Sequence, residues 1–294
     1  MFSPSLTLLL CSAVFLAACG SPAAGPAAEA SLPAPEQATL TPTVSAPVAR
    51  VNDEAISSDS YNLHLAQYQA AQADFGTLLA KGDVPQAVLD DLISRMLLAQ
   101  GARAQGYVLE EATLQQRLDA AVEAAGGPDA FEAWLAEQGY TADLFRQELA
   151  LEIEAGWMRE QITNAVPHSA EQVLARQVLL ADQFSADRLL SQLSGGTSFQ
   201  QIVNNNDGLG LGYLGWFPRG YLLQPAVEEA AFGLQPGQVS LVVESPLGFH
   251  LIEVLDRQAN RPLTPRARQA LQSLALQDWL ASQRGQTRVE ILLP

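Results

Sequence analysis

Apolar residues recur at helical spacing over 58–163, the pattern stops at Pro167, and it returns only at Pro265. That interruption limits the possible folds more than any other feature of the chain. In the first stretch Val88, Leu89, Leu92, Ile93, Met96 and Leu97 fall on one helical face, behind Asp83 and Pro85, which suit a helix start. Further helices are expected over 114–125, 129–137 and 143–162, the last capped by Thr141. Ahead of Ser58, residues 48–56 alternate and turn at Asn52 and Asp53, which predicts a short strand and turn. The closing segment offers an amphipathic helix over 265–282, with Leu271, Leu274, Leu276 and Trp279 on its apolar side, and an alternating strand over 287–293. Neither element is stable alone. The helix is therefore expected to pack on the 58–163 bundle and the strand to pair with 48–52. The outer domain would then be discontinuous, built from 48–166 and 263–294.

The stretch between them, 170–258, has a different texture. Strands are expected over 173–180, 238–243 and 248–255, and helices over 186–193 and 226–232. Gly195 and Gly196 break the chain, 199–203 suits a helical turn or two, and 208–215 is a glycine-dense loop. Roughly 85 residues of mixed α+β structure are enough for a domain of its own.

The first 47 residues cannot join either core. Residues 1–19 are largely apolar and uncharged, too short for a comfortable membrane span, and end in Leu16-Ala17-Ala18-Cys19. This reads as a secretory signal, and its ending resembles the bacterial lipobox, in which the cysteine is acylated and becomes the first mature residue. An ordinary cleaved signal is the other reading these residues leave open. With Cys11 in the signal and Cys19 carrying lipid, no thiol remains for a bridge, a metal or nucleophilic catalysis. Residues 20–47, rich in Ala, Pro, Ser and Thr, are expected to form a disordered tether with a reach beyond about 30 Å.

Charge and motifs exclude several functions. Acidic residues outnumber basic ones 32 to 16 and the basic residues are scattered, so nucleic acid is not an expected partner. His64, His168 and His250 lie far apart in sequence, and neither a metal nor a cofactor is expected. Gly210, Gly212 and Gly215 match the dinucleotide fingerprint, but Trp216, Phe217 and Pro218 follow where a helix should begin. The pair Glu228 and Glu229 suits a solvated helix face better than acid–base chemistry.

Five blocks then run in order: Ala175 to Leu180; Gly196 to Phe199; Leu214, Gly215, Trp216, Phe217, Pro218, Arg219 and Gly220; Glu228 through Phe232 and Gly237 to Ser240; and Gly248 to Ile252. In this order and spacing they resemble the parvulin-type peptidyl-prolyl cis-trans isomerases. The flanking helical regions, entered by residues 51–57, resemble the chaperone module of foldases such as PrsA and SurA. With Cys19, the likeness is to a foldase lipoprotein of the PrsA type. The resemblance implies an α+β fold: a helical SurA/PrsA-like chaperone domain with an inserted parvulin-like domain, a four-stranded antiparallel sheet with helices.

It also implies a site. Leu214, Phe217, Leu222 (or Leu223), Val227 and Phe232 would wall a cleft for a proline ring, close to His250. His250 matches the second of the family's paired histidines, Gln177 stands at the first, and Asp207 falls at an Asp-or-Cys position in a shorter loop. Tyr213 replaces the usual Asp, and Val227 a larger residue. Such a site needs no nucleophile, because the barrier of about 18–20 kcal/mol to rotating an X–Pro amide is lost resonance. Residues 181–183 carry no basic cluster to select a phosphorylated residue before proline. Two functions follow: an extracytoplasmic, lipid-anchored isomerase that speeds folding of secreted polypeptides with X–Pro bonds, or a holdase with an inactive parvulin-like domain. The oligomeric state is not legible.

Overall fold

The protein opens with a hairpin, strands β1 (Pro47–Val51) and β2 (Glu54–Ser57), whose turn places Asn52 at φ 55. Asparagine tolerates this left-handed conformation better than most residues. The computed structural model describes residues 46–75, 83–206 and 212–293. The expected signal, Cys19, almost all of the tether and Asp207 lie outside them.

Five helices follow: α1 (Ser58–Phe75), α2 (Val84–Ala104), α3 (Glu111–Ala125), α4 (Pro128–Gln138) and α5 (Ala142–Asn164). The expected caps form, with Asp83 accepting from the Gln86 amide at 3.3 Å and Thr141 from the Leu144 amide at 3.1 Å. The apolar face of α2 is buried against Val48, Val51, Ile56 and Tyr61. Phe131, Trp134, Tyr140 and Phe145 form a separate aromatic cluster where α4 meets α5. A groove of about 450 Å³ opens beside it, lined by Phe131, Leu135 and Tyr140.

The chain then runs through β3 (Ser169–Leu180), α6 (Gln183–Ser194), α7 (Phe199–Asn206), β4 (Tyr213–Pro218), α8 (Pro225–Gly233), β5 (Val243–Ser245) and β6 (Gly248–Pro262). The four strands form an antiparallel sheet in the order β4-β3-β6-β5. Strands β3 and β6 pair from Leu180↔Phe249 back to Ser169↔Pro262, beyond the expected ends of both. The mixed segment thus leaves and re-enters the helical body at neighbouring points, where the Leu263 amide donates to the His168 carbonyl at 2.8 Å. The described residues belong to one contact unit, Val44–Pro294.

The expected strand over 238–243 is corrected. That segment runs beside β6 with bonds from the Gly237 amide to Val254 and from the Ser240 amide to Ile252, but with a single bridge, Val239↔Glu253. The Ser240 hydroxyl accepts from the Ile252 amide at 3.0 Å, taking the donor that a regular ladder would use. Regular pairing begins only at β5.

The tail returns as expected. Helix α9 (Pro265–Gln286), capped by Thr264, packs on α5 and α2. Strand β7 (Val289–Ile291) pairs with β1 through Ala49↔Ile291, Arg50↔Glu290 and Val51↔Val289. Gly101 makes the docking close: a Cβ there would lie 2.6 Å from the Trp279 ring. The apolar side of α9 is not one face, however. Leu276, Trp279 and Leu280 meet Leu98, Ala102, Ala155 and Met158, whereas Leu271 and Leu274 reach Gly220. Among the described residues, no helix is long and apolar enough to cross a membrane.

Glu148 of α5 ties three helices together. It accepts from the Ser60 hydroxyl and meets His64 at 3.2 Å, both on α1, and it pairs with Arg95 of α2 at 3.0 Å. Burial pushes its carboxyl up, but the hydrogen bonds from His64 and Ser60 and the charges of His64 and Arg95 outweigh that and hold it below the ordinary value. The carboxylate therefore stabilises the fold above the unfolded-state value, and the contribution is lost as pH falls through the lower folded one. Glu148→Ala is expected to cost about 3 kcal/mol in urea unfolding at neutral pH. The gap to wild type should close on acidification below about 4.5; a gap constant across that range would contradict this assignment.

Candidate functional site

The two central strands bring together the residues that the resemblance singles out. In the β3–β6 register Gln177 lies opposite Ile252 and Leu179 opposite His250, so Gln177 and His250 are diagonal neighbours. His250 Nδ1 lies 2.9 Å from Gln177 Oε1. With the amide presenting its carbonyl oxygen, Nδ1 carries the proton and Nε2 is free to accept. The Ser245 hydroxyl fills that position at 2.7 Å and itself accepts from the Leu247 amide at 3.1 Å. His250 is 1% exposed, and burial pushes its pKa down, so the ring is neutral at neutral pH.

Ser245 was not among the expected residues. It pairs with Gly248 across the β5–β6 turn, and only that turn folds its hydroxyl back onto a ring five positions later.

The expected apolar cleft between Leu214 and Phe232 is corrected in form. Phe217, Val227 and Phe232 are 0%, 2% and 4% exposed and belong to one core cluster with Val173, Ala175, Ile252 and Val254. Phe217 meets Phe232 edge to face at 6.0 Å. The Phe232 ring also carries the Arg219 guanidinium at 4.2 Å and that of Arg257 at 5.8 Å. A cation is drawn to the electron-rich face of an aromatic ring, so these arginines cover Phe232. The three side chains thus form a packed floor, over which Leu214, Tyr221 and Leu222 lie partly buried. Leu223, the alternative to Leu222, is 75% exposed. Tyr213 stands exposed at the start of β4, and Asp207 lies outside the described residues.

Glu228 is the second correction. Instead of facing solvent, its carboxylate accepts from the backbone amides of Gly220 at 2.7 Å, Tyr221 at 3.0 Å and Leu222 at 3.1 Å. Gly220, at φ 80, turns the chain so that successive amides converge on one anion. Pro225 starts α8, which places Glu228 in its first turn, where a negative charge is also favoured. Glu229 remains exposed. Among the described residues, no three His, Cys, Asp or Glu side chains group to hold a metal.

Comparison with known proteins bears on both parts of the fold. The family model described as "PPIC-type PPIASE domain" matches residues 176–256. Residues 176–256 form a PPIC-type, or parvulin-type, PPIase domain. The model for the "SurA-like N-terminal domain" matches 36–159, beginning inside the expected tether. Among curated relatives, the foldase protein PrsA of Halalkalibacterium halodurans is 27% identical over 230 residues, covering 70% of this chain and 68% of that protein. The chaperone SurA of Dechloromonas aromatica is 32% identical over 175 residues, 52% of this chain but only 39% of that protein. The crystal structure of peptidylprolyl isomerase PrsA from Bacillus anthracis superposes with a TM-score of 0.43 at 22% identity, covering 67% of this chain and 96% of that one.

The Glu228 clamp in the PPIC-type domain gives a direct test. Glu228→Ala should lower stability by about 2 kcal/mol, because three amides lose a charged acceptor. Glu228→Gln, which retains one carbonyl oxygen, should lose less. Denaturant melts read the difference, and an alanine variant as stable as wild type would mean that water replaces the carboxylate without cost.

Proposed function

We propose that this chain is a peptidyl-prolyl cis-trans isomerase that assists the folding of exported polypeptides, held outside the cytoplasm by lipid on Cys19. In this reading 48–166 and 263–294 form a client-holding body, 170–258 the isomerase domain, and 20–47 the tether. The observation that carries it is the neutral, buried His250, held between Gln177 and Ser245 within a PPIC-type domain.

The chemistry asks little of the protein beyond this. A twisted X–Pro amide has lost its resonance and is less polar than the planar form, so a water-poor apolar seat favours it. Leu214 and Leu222 form the edges of that seat, and the Phe217, Val227 and Phe232 floor backs them. Gln177 and Asp207 supply polar contacts to the amide, and His250, bonded on both ring nitrogens, orients the Gln177 side chain. A neutral imidazole holds that side chain without a charge that would retain water. The groove at Phe131, Leu135 and Tyr140 provides the helical body with apolar surface for the same unfolded chains.

The full chain should accelerate isomerisation of a proline-containing test peptide. No acceleration by a protein whose circular dichroism shows an intact fold would overturn the proposal. Gln177→His restores a second imidazole beside His250 and should raise the rate; a flat or lower rate would remove Gln177 from the catalytic set. For the anchor, Cys19→Ser should abolish incorporation of labelled palmitate and release the protein from membranes. Retained label would place the lipid elsewhere.

A further inference from the structure

Helix α9 has two jobs in the fold, and only one belongs to the helical body. Leu276, Trp279 and Leu280 enter the core with α2 and α5. Nearby, Gln272 donates to the Thr163 carbonyl at 3.2 Å, fixing α9 along the end of α5. Leu271 and Leu274, three residues apart on a helix of 3.6 residues per turn, share another side. There the helix meets the PPIC-type domain: a Cβ built on Gly220 would lie 2.5 Å from Leu274 Cδ2 and 3.3 Å from Leu271 Cδ2. Gly220 is thus required twice, for its φ of 80 and for the space that the leucines occupy.

The segment they touch is the rim of the proposed proline seat. Arg219 lies on the Phe232 ring at 4.2 Å, the amides of Gly220, Tyr221 and Leu222 bind Glu228, and Leu222 packs on the floor. The segment is therefore gripped from within by Glu228, at residues 220–222, and from outside by α9, at Gly220. We propose that Leu271 and Leu274 are positioning residues, which hold this rim in its binding conformation and make the proline seat depend on the docking of the C-terminal helix. The catalytic part of this inference rests on the isomerase reading above. The contact itself does not.

If the leucines pre-order the rim, removing one raises the cost of binding and leaves the twist of a seated amide unchanged. Leu274→Ala is expected to raise KM for a proline peptide about fivefold, with kcat near wild type. It should also speed amide hydrogen exchange at Gly220, Tyr221 and Leu222. Leu274→Met, which keeps the contact, should retain both wild-type values, and the control Leu114→Ala, buried in α3 away from α9, should lower the melting temperature without altering KM. Unchanged exchange at the three amides in a folded Leu271→Ala, Leu274→Ala double variant would overturn the proposal. So would faster exchange with an unaltered KM. If wild type has no isomerase activity and exchange still rises, the isomerase reading falls and the α9 grip on the rim stands.

Discussion

The pairing of β7 with β1 joins the first and last strands of the described residues, and the rest of the architecture depends on it. Val51 lies opposite Val289, and the Asn52 amide donates to the Arg288 carbonyl at 2.8 Å. Asn52 also bonds Gln100, which in turn donates to the Val51 carbonyl, so the hairpin, the tail and α2 meet at one corner. A three-residue strand has no independent stability. It is held because β1 offers an edge, and α9 is held because α2 and α5 leave a slot beside Gly101 for Trp279. The long β3–β6 ribbon makes this closure compatible with a large insertion, since it brings the exit and return points together.

In a chain with twice as many acidic as basic residues, two carboxylates do internal work. Glu148 holds α1, α2 and α5 through Ser60, Arg95 and His64. Glu228 orders the rim of the candidate site through three backbone amides. Both are held by directed hydrogen bonds, which offset the loss of water around a partly buried charge. His250 follows the opposite course: burial keeps it neutral, and its two nitrogens are matched by one acceptor and one hydroxyl.

Part of the candidate site is legible in the sequence. Gln177 and His250 stand in motif blocks whose order and spacing resemble a known family, and the sheet brings them to hydrogen-bond distance. Ser245 and Glu228 were not legible, because each acts through a turn that aims it at groups with no local signature. Phe217, Val227 and Phe232 were legible as apolar, but a pattern of apolar residues does not say which keep surface and which become floor. Arg219 and Arg257 over Phe232 decided that. The segment 238–243 has the alternation of a strand, yet the Ser240 hydroxyl competes with the backbone for the Ile252 amide.

The sequence by itself determined the helical and mixed segments, their caps, and the need of α9 and β7 for distant partners. These follow from periodicity, capping chemistry and the marginal stability of short elements, which are local properties. The tertiary structure alone decided that α9 divides its leucines between the body and Gly220, that Glu228 turns inward, and that Phe217, Val227 and Phe232 pack as a filled floor. Each of these depends on which surfaces meet across long separations in the chain, and no spacing rule carries that information.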